Sequence, residues 1–485
     1  MEERGEVVPA STVSLTVARN ARERGDGLAV VEALSGASMT WGEYHERADR
    51  VGAAVARHPK GARVALQIAD GPGVHAAMVG CERAGVVAVG IGTRAGTREV
   101  EHLVARTGAR ALLTDVPSAP GTAPAERAIG PDDLWFLNST SGTTGLPKVV
   151  MHHQRRWFAF HAFADRVAHF AADDVFLSAL PAPYGFGLWT AHFTPAIVGA
   201  PCVVLERFSP EAALAAIERY RVTVLAAVSS QFVMMLNSPQ FAATDLSSLR
   251  VMFTGGETVP YDRAKEFEDR TGACVLQFYG SNETGALSGT APDDPQERRL
   301  RTAGRVIPEM HVRLLDPDTG ADVTAGGGPG VPAAKGPTLC LGYWEDEAAN
   351  AALFTADGWM RMGDVATIDS DGYLTVVGRT SDFVIRGGKN VSAAQVEDEV
   401  SSHPAVALCA AVGTPDPVLG ERVCAFVELR PGGELDLDGL RAHLDARGTG
   451  KELWPERLVV LDALPRSSGG KVAKGELRVL AHELA

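Results

Sequence analysis

The stretch Ser139-Thr140-Ser141-Gly142-Thr143-Thr144-Gly145-Leu146-Pro147-Lys148 decides how the rest of the chain reads. It is dense in hydroxyls and glycines and closes on a proline and a lysine. Glycine lets the backbone approach a ligand closely and turn its N–H groups inward. Ser and Thr hydroxyls add donors, and lysine adds a point charge suited to phosphate. Leu134-Trp135-Phe136-Leu137 before it and Val149-Val150-Met151 after it are short apolar strand candidates. Strand, glycine–hydroxyl loop and strand form a plausible cradle for the β- and γ-phosphates of a nucleotide. On composition alone, a plain surface loop between two strands is the favoured reading of the string. It is not the Walker pattern, in which Gly-Lys-Ser/Thr opens a helix.

Outward from the loop, strand and helix patterns alternate. Upstream, strands are expected at 63–68, 86–91 and 111–114, and helices at 73–84 and 97–107, after an amphipathic segment at 38–55. Downstream, strands are expected at 174–180, 222–228, 251–254 and 275–279, and helices at 210–219, 230–237 and 259–271. Such alternation argues for parallel sheets with helices on their faces. Ligands of these sheets bind beyond the carboxyl ends of strands. Three strand ends carry small or polar residues: the loop at Ser139, Gly255-Gly256-Glu257, and Gly280-Ser281-Asn282-Glu283. One nucleotide is placed among all three. From about Thr302 the texture changes to short strands and turns, with a hairpin signal at 368–374. The last hundred or so residues read as a small α+β domain.

Joined by further motifs in order, the ten-residue loop closely resembles the phosphate loop of the adenylate-forming family: acyl-CoA synthetases, luciferases and nonribosomal adenylation domains. Tyr279-Gly280-Ser281-Asn282-Glu283 resembles the family's Tyr-Gly-x-Thr-Glu, with Asn282 in place of Thr. The resemblance implies adenine contacts for Tyr279 and Gly280 and Mg²⁺ on Glu283. Met362-Gly363-Asp364 resembles Thr-Gly-Asp and implies a ribose role for Asp364. Gly378-Arg379 matches the family's Gly-Arg, whose Arg contacts ribose or phosphate. Ser381 stands at the family's hinge, where Asp or Lys is usual. Gly387-Gly388-Lys389 resembles the turn that lines a pantetheine tunnel. Leu464-Pro465-Arg466-Ser467-Ser468-Gly469-Gly470-Lys471 resembles the family's terminal motif, whose lysine orients the carboxylate and the α-phosphate.

The resemblance thus implies an α/β fold. A large domain, residues 1–380, holds parallel-sheet subdomains and a β subdomain. A mobile α+β lid, residues 381–485, follows. ATP contacts fall to Thr140, Ser141, Gly142, Thr143, Thr144, Gly145, Lys148, Gly256, Glu257, Tyr279, Gly280, Ser281, Asn282, Asp364, Arg379 and Lys471. Catalytic roles fall to Lys471, Glu283 and Thr143, and the coenzyme A path to Gly387 and Gly388. The implied reaction is ATP-dependent activation of a carboxylic acid as acyl-adenylate, with Mg²⁺, followed by transfer to coenzyme A. Two alternatives stand beside it: transfer to a carrier-protein phosphopantetheine, and adenylation of an oxyanion such as nitrite for diazotisation of an aryl amine.

Pro181-Ala182-Pro183-Tyr184-Gly185-Phe186-Gly187 aligns with the family's Pro-x-Phe-His-x-x-Gly. Amino-acid adenylation domains carry an Asp near this segment, and Tyr184 to Thr190 has none. A neutral aromatic or alicyclic acid is therefore expected. Its candidate walls are Tyr184, Phe186, Ser229, Phe232, Gly255 and Leu287.

Composition bounds the rest. The chain has 485 residues, 45% of them hydrophobic, and a formal net charge of -14, too long for one core. An acidic surface argues against nucleic acid and anionic membrane as partners. No apolar run is long enough to span a bilayer, and the first residues lack a signal-like apolar core. Six cysteines lie far apart without a CxxC pair, which favours free thiols in a cytoplasmic protein.

Overall fold

The computed structural model describes residues 11–139, 148–257, 259–379, 382–387, 389–466 and 471–484. Among them, two sheets organise the large domain. In the nine-stranded sheet, Cys274–Ser281, Val251–Gly255, Val224–Ala226, Phe176–Ser178, Cys202–Val204 and Leu28–Glu32 run parallel in that spatial order. Gly285–Gly289 and Arg305–Val306 extend one edge antiparallel, and Ser38–Thr40 closes the other. In the six-stranded sheet, Phe136–Ser139, Val87–Gly90, Arg63–Leu66 and Leu112–Leu113 are parallel, and Val149–His152 and Gly342–Tyr343 are antiparallel. Helices cover both faces, so the parallel strands are buried apolar runs, as crossover connections require.

Local signals explain where the helices start. Thr40 caps Trp41–Val55 in a reciprocal box with Glu43: Glu43 N–H donates to Thr40 Oγ1 at 3.2 Å, and Thr40 N–H donates to Glu43 Oε2 at 2.9 Å. Ser209 caps Pro210–Tyr220, which opens on the proline that the first helical position tolerates. The Tyr184–Val198 segment is less regular. A short helical turn passes into a π-helical turn over Leu188–Phe193 before Thr194–Val198 resumes as α-helix.

The β subdomain holds the sheet of His311–Leu315, Val331–Lys335 and Met360–Arg361, together with the hairpin Asp364–Ile368 and Leu374–Arg379. The small domain is α+β. Its sheet orders Lys389–Ser392, Phe383–Arg386, Gly420–Leu429 and Val406–Asp416, and Arg457–Val460 pairs parallel to Gly420–Leu429. The helices Ala393–Ser401, Leu437–Ala446 and Lys474–Glu483 pack on it. Leu408, Val412 and Leu477 of the small domain join one apolar cluster with Leu214, Phe232, Met235 and Met252 of the large one. That cluster fixes the face on which the two domains dock.

Candidate active site

The carboxyl ends of the parallel strands converge as the alternation implies. Val251–Gly255 leads into Gly256 and Glu257, and its neighbour Cys274–Ser281 leads into Asn282 and Glu283. Val224–Ala226 leads to Ser229 at the start of Ser229–Asn237. In the other sheet, Ser139 pairs with Val149, so the ten-residue loop springs from a closed antiparallel pair.

The small domain reaches this edge through one side chain. Lys471 Nζ donates to the Gly256 carbonyl at 2.8 Å. Gly256 has φ +76, and a Cβ there would lie 2.9 Å from Lys471 Nζ, so glycine serves both the turn and the approach. Burial lowers the Lys471 pKa, and the Glu257 carboxylate opposes that shift. Glu257 Oε2 in turn accepts from Ser230 N–H at 3.1 Å.

Three more of the expected residues meet below it. The Tyr279 hydroxyl donates to Asp364 Oδ2 at 2.8 Å, and Arg379 Nε lies 3.2 Å from Asp364 Oδ1. Burial and then the Asp364 charge push the Tyr279 phenol well above its ordinary range, so it stays a donor. Asp364 therefore presents a buried carboxylate between a phenol and a guanidinium, a pattern suited to vicinal hydroxyls.

Glu283 is organised by a residue that the sequence motifs missed. The Tyr343 hydroxyl donates to Glu283 Oε1 at 2.8 Å, and Lys148 Nζ sits 4.8 Å from the centre of the Tyr343 ring. Tyr343 thus links the lysine that ends the phosphate loop to the expected metal carboxylate. Tyr343 follows the family-like strand only by pairing with Val150, a contact that no local pattern announces.

Asn282 takes part in a second unforeseen network. Its amide and that of Asn138 bond reciprocally, Asn282 Nδ2 to Asn138 Oδ1 at 2.8 Å and Asn138 Nδ2 to Asn282 Oδ1 at 3.3 Å. His152 Nε2 lies 2.8 Å from the same Asn138 oxygen, and Arg156 contacts His152 Nδ1. Arg156 Nη2 also donates to the Glu283 carbonyl at 3.3 Å. Burial and the Arg156 charge hold the His152 pKa far below its usual value, so the neutral ring donates through Nε2 and accepts through Nδ1.

Of the proposed substrate walls, Phe186 belongs to an aromatic group. Its ring meets Phe278 edge-on at 4.8 Å, Phe278 meets Trp189 at 5.3 Å, and Trp189 stacks on Phe160 at 4.2 Å. Trp189 sits in the π-helical turn, which the sequence did not betray. Leu287 is buried in the same cluster, and a Cβ on Gly255 would lie 2.4 Å from the Phe278 carbonyl. The Tyr184 hydroxyl faces Gly92, where a Cβ would come within 2.7 Å of it. Ser229 is buried, with no partner for its hydroxyl among the described residues. Phe232 is fully buried in a cluster with Leu236 and Phe267, its ring 5.8 Å from that of Phe267.

Gly280 packs so closely that a Cβ would stand 1.7 Å from the Gly285 carbonyl, and the Ser281 hydroxyl accepts from Glu283 N–H at 3.2 Å. Gly387 closes its turn by donating to the Leu419 carbonyl at 2.7 Å. Thr140, Ser141, Gly142, Thr143, Thr144, Gly145, Ser381 and Gly388 lie outside the described residues. Among those described, no group of three or more His, Cys, Asp or Glu is placed to hold a metal ion, and no helix is long and apolar enough to cross a membrane.

Residues 17–128 and 115–344 match the family described as AMP-binding enzyme, and residues 395–471 match the AMP-binding enzyme C-terminal domain. The chain belongs to the AMP-binding enzymes. It is 32% identical over 470 residues to a feruloyl-CoA synthase of Amycolatopsis sp, covering 91% of this chain and 94% of that protein. It is 33% identical over 351 residues to the medium-chain fatty-acid–CoA ligase of Escherichia coli, covering 72% of this chain and 61% of that one. A benzoate CoA ligase structure from Burkholderia xenovorans superposes with a TM-score of 0.86 at 26% identity, covering 96% of this chain and all of the other. Like other AMP-binding enzymes of the acyl-CoA ligase type, the chain is an AMP-forming acid–thiol ligase that works through an adenylate.

Proposed function

We propose that the acid is a neutral aryl acid and that the acceptor is coenzyme A. The observation that carries this reading is the aromatic group of Phe160, Phe186, Trp189 and Phe278 beside the Gly255–Gly256 strand end. Flat rings offer edge and face contacts to another ring. A carboxylate against the Pro181–Tyr184 loop, Asp70, accepts from Ala182 N–H at 2.7 Å and is pushed up to about 7 by burial. A half-protonated acid already engaged by backbone is a poor partner for an α-ammonium group. The feruloyl-CoA synthase and the benzoate ligase act, by name, on aryl acids; the fatty-acid ligase is the counter-example.

The chemistry follows from the geometry. A carboxylate oxygen of the acid attacks the α-phosphorus of ATP in line, forming a C–O–P bond as the α–β bridge breaks and pyrophosphate departs. Lys471, poised at Gly256, offsets charge on the carboxylate and α-phosphate oxygens. Asp364 accepts from the ribose hydroxyls with Tyr279 and Arg379 holding its two oxygens, and Lys148 faces the leaving phosphates. Positioning then does most of the work. One carboxylate, Glu283, oriented by Tyr343, fits Mg²⁺, which is bound through one or two carboxylates plus phosphate oxygens and supplies charge neutralisation on the leaving group. In the second step the thiol sulfur attacks the acyl carbon, AMP leaves, and a thioester forms. The lid turns between the steps, withdrawing Lys471 and bringing up Gly387.

Pyrophosphate release over ferulate, benzoate, indole-3-acetate and octanoate, with and without coenzyme A, tests the reading. An aryl acid should give the highest kcat/KM and an acyl-CoA product by mass. Faster turnover of octanoate than of any aryl acid, or an adenylate that coenzyme A leaves untouched, overturns it.

A further inference from the structure

The lysine loop owes its direction to the helix that follows it. Ala473 N–H donates to the Pro465 carbonyl at 2.8 Å, and the helix Lys474–Glu483 starts at once. Two of its side chains reach back toward the beginning of the small domain. Lys474 Nζ lies 2.7 Å from Glu397 Oε1 and 3.8 Å from Asp382 Oδ2. Arg478, one turn on, pairs with Asp382 Oδ1. Glu397 is buried and also accepts from Ala411 N–H at 2.7 Å. Two acids and two bases thus form a neutral, largely buried set that spans three segments.

Asp382 gives this set its meaning. Its N–H donates to the Arg379 carbonyl at 3.0 Å, closing a turn. Arg379 holds the Asp364 carboxylate of the large domain. Residues three apart therefore grip the ribose side of the site and the helix behind Lys471. The helix does not need the charges in order to stay attached: Leu477 and Ala481 are fully buried, and Thr414 donates to the Ala481 carbonyl at 3.0 Å. Buried ion pairs of this kind add little net stability, and their best-attested use is to select one arrangement.

We infer that Asp382, with Lys474 and Arg478, is a positioning set that ties the start of the strand Phe383–Arg386 to the lysine helix and so places Lys471 Nζ for adenylate formation. The inference rests on the role given to Lys471. It separates the two half-reactions, because the thioester step does not use Lys471.

Asp382→Asn and Arg478→Gln should each lower acid-dependent ATP–pyrophosphate exchange ten- to a hundredfold in kcat, with KM for ATP and acid within threefold. The acid is the one that performs best in the panel above. Coenzyme A-dependent consumption of the corresponding synthetic acyl-AMP should stay within twofold, and Asp382→Glu should recover most of the exchange. Equal losses in both half-reactions would show a merely loosened domain and overturn the inference, as would unchanged exchange. If Asp382→Asn fails to fold, Arg478→Gln, on the more exposed partner, decides alone. Lys471→Ala is the reference: exchange retained there would overturn the role of Lys471 itself, whatever the Asp382 variants do.

Discussion

At the scale of single residues, the proposal gives two side chains distinct parts of the reaction. Among the described residues, Lys471 meets the large domain through a hydrogen bond to the Gly256 carbonyl, and its side chain is half-buried. Removing a preorganised charge donor of this type costs on the order of 10²–10⁴ in rate. Lys471→Ala should therefore lose that much pyrophosphate exchange, while thioester formation from supplied acyl-AMP persists; equal losses in both would contradict the assignment. The proposal gives Asp364 an earlier part, in holding ATP. Asp364→Asn keeps the shape but removes the charge that faces Arg379 and Tyr279. Losing one charge-assisted contact of about 1.4 kcal/mol raises the ATP KM roughly tenfold. The kcat should change little, since ground-state and transition-state binding weaken together. Steady-state kinetics in ATP separates the two cases.

At the scale of elements, the two strands flanking the phosphate loop are held to the acid-bearing turn by the Asn138–Asn282 amide pair. Asn138 is 1% exposed, so truncating it strands the His152 ring and the Asn282 amide. Asn138→Ala should cost about 1–3 kcal/mol of stability, read as a lowered melting temperature, together with a higher ATP KM. A variant that melts like wild type would show the pair to be idle. The same region marks how far the sequence could be read. The helix 97–107 is periodic and well bounded, and Thr97–Thr107 falls where expected. The glycine and acid motifs at strand ends were legible because close approach and charge leave a local signature. Asn138 and Tyr343 were not, since each acts through a partner 144 or 60 residues away. Arg155–Ala168 and the lysine helix Lys474–Glu483 went unread as elements, and the π-helical turn has no periodic signal of its own.

At the scale of the whole molecule, five buried or half-buried histidines of the large domain are held neutral, and this makes the fold acid-sensitive. Burial holds His75, His153 and His161 at about 4 and holds His152 and His192 well below the ordinary imidazole range. In the unfolded chain each takes a proton near pH 6.5. Their contribution is therefore complete above pH 6.5 and is lost as pH falls toward 4. Asp70 and Glu82 work the other way: burial raises both to about 7, so the folded state keeps protons that the unfolded chain releases. Glu397 and Asp398 are shifted in the same direction. Five histidines outweigh these acids, and apparent melting temperature should fall from pH 7 to pH 5. His161 isolates one increment. Its ring stacks on Phe170 at 6.0 Å and its Nδ1 lies 3.3 Å from Thr194 Oγ1, so phenylalanine preserves the packing and gives up one weak bond. His161→Phe should match wild type or lie slightly below it at pH 7. It should then gain on wild type by about 1 kcal/mol per pH unit between pH 6.5 and 4.5, since one fewer proton is taken up on unfolding. Thermal melts of both proteins across that range provide the check. Parallel curves would mean that the His161 imidazole is charged in the folded state, and would remove the buried-histidine account of the acid limb.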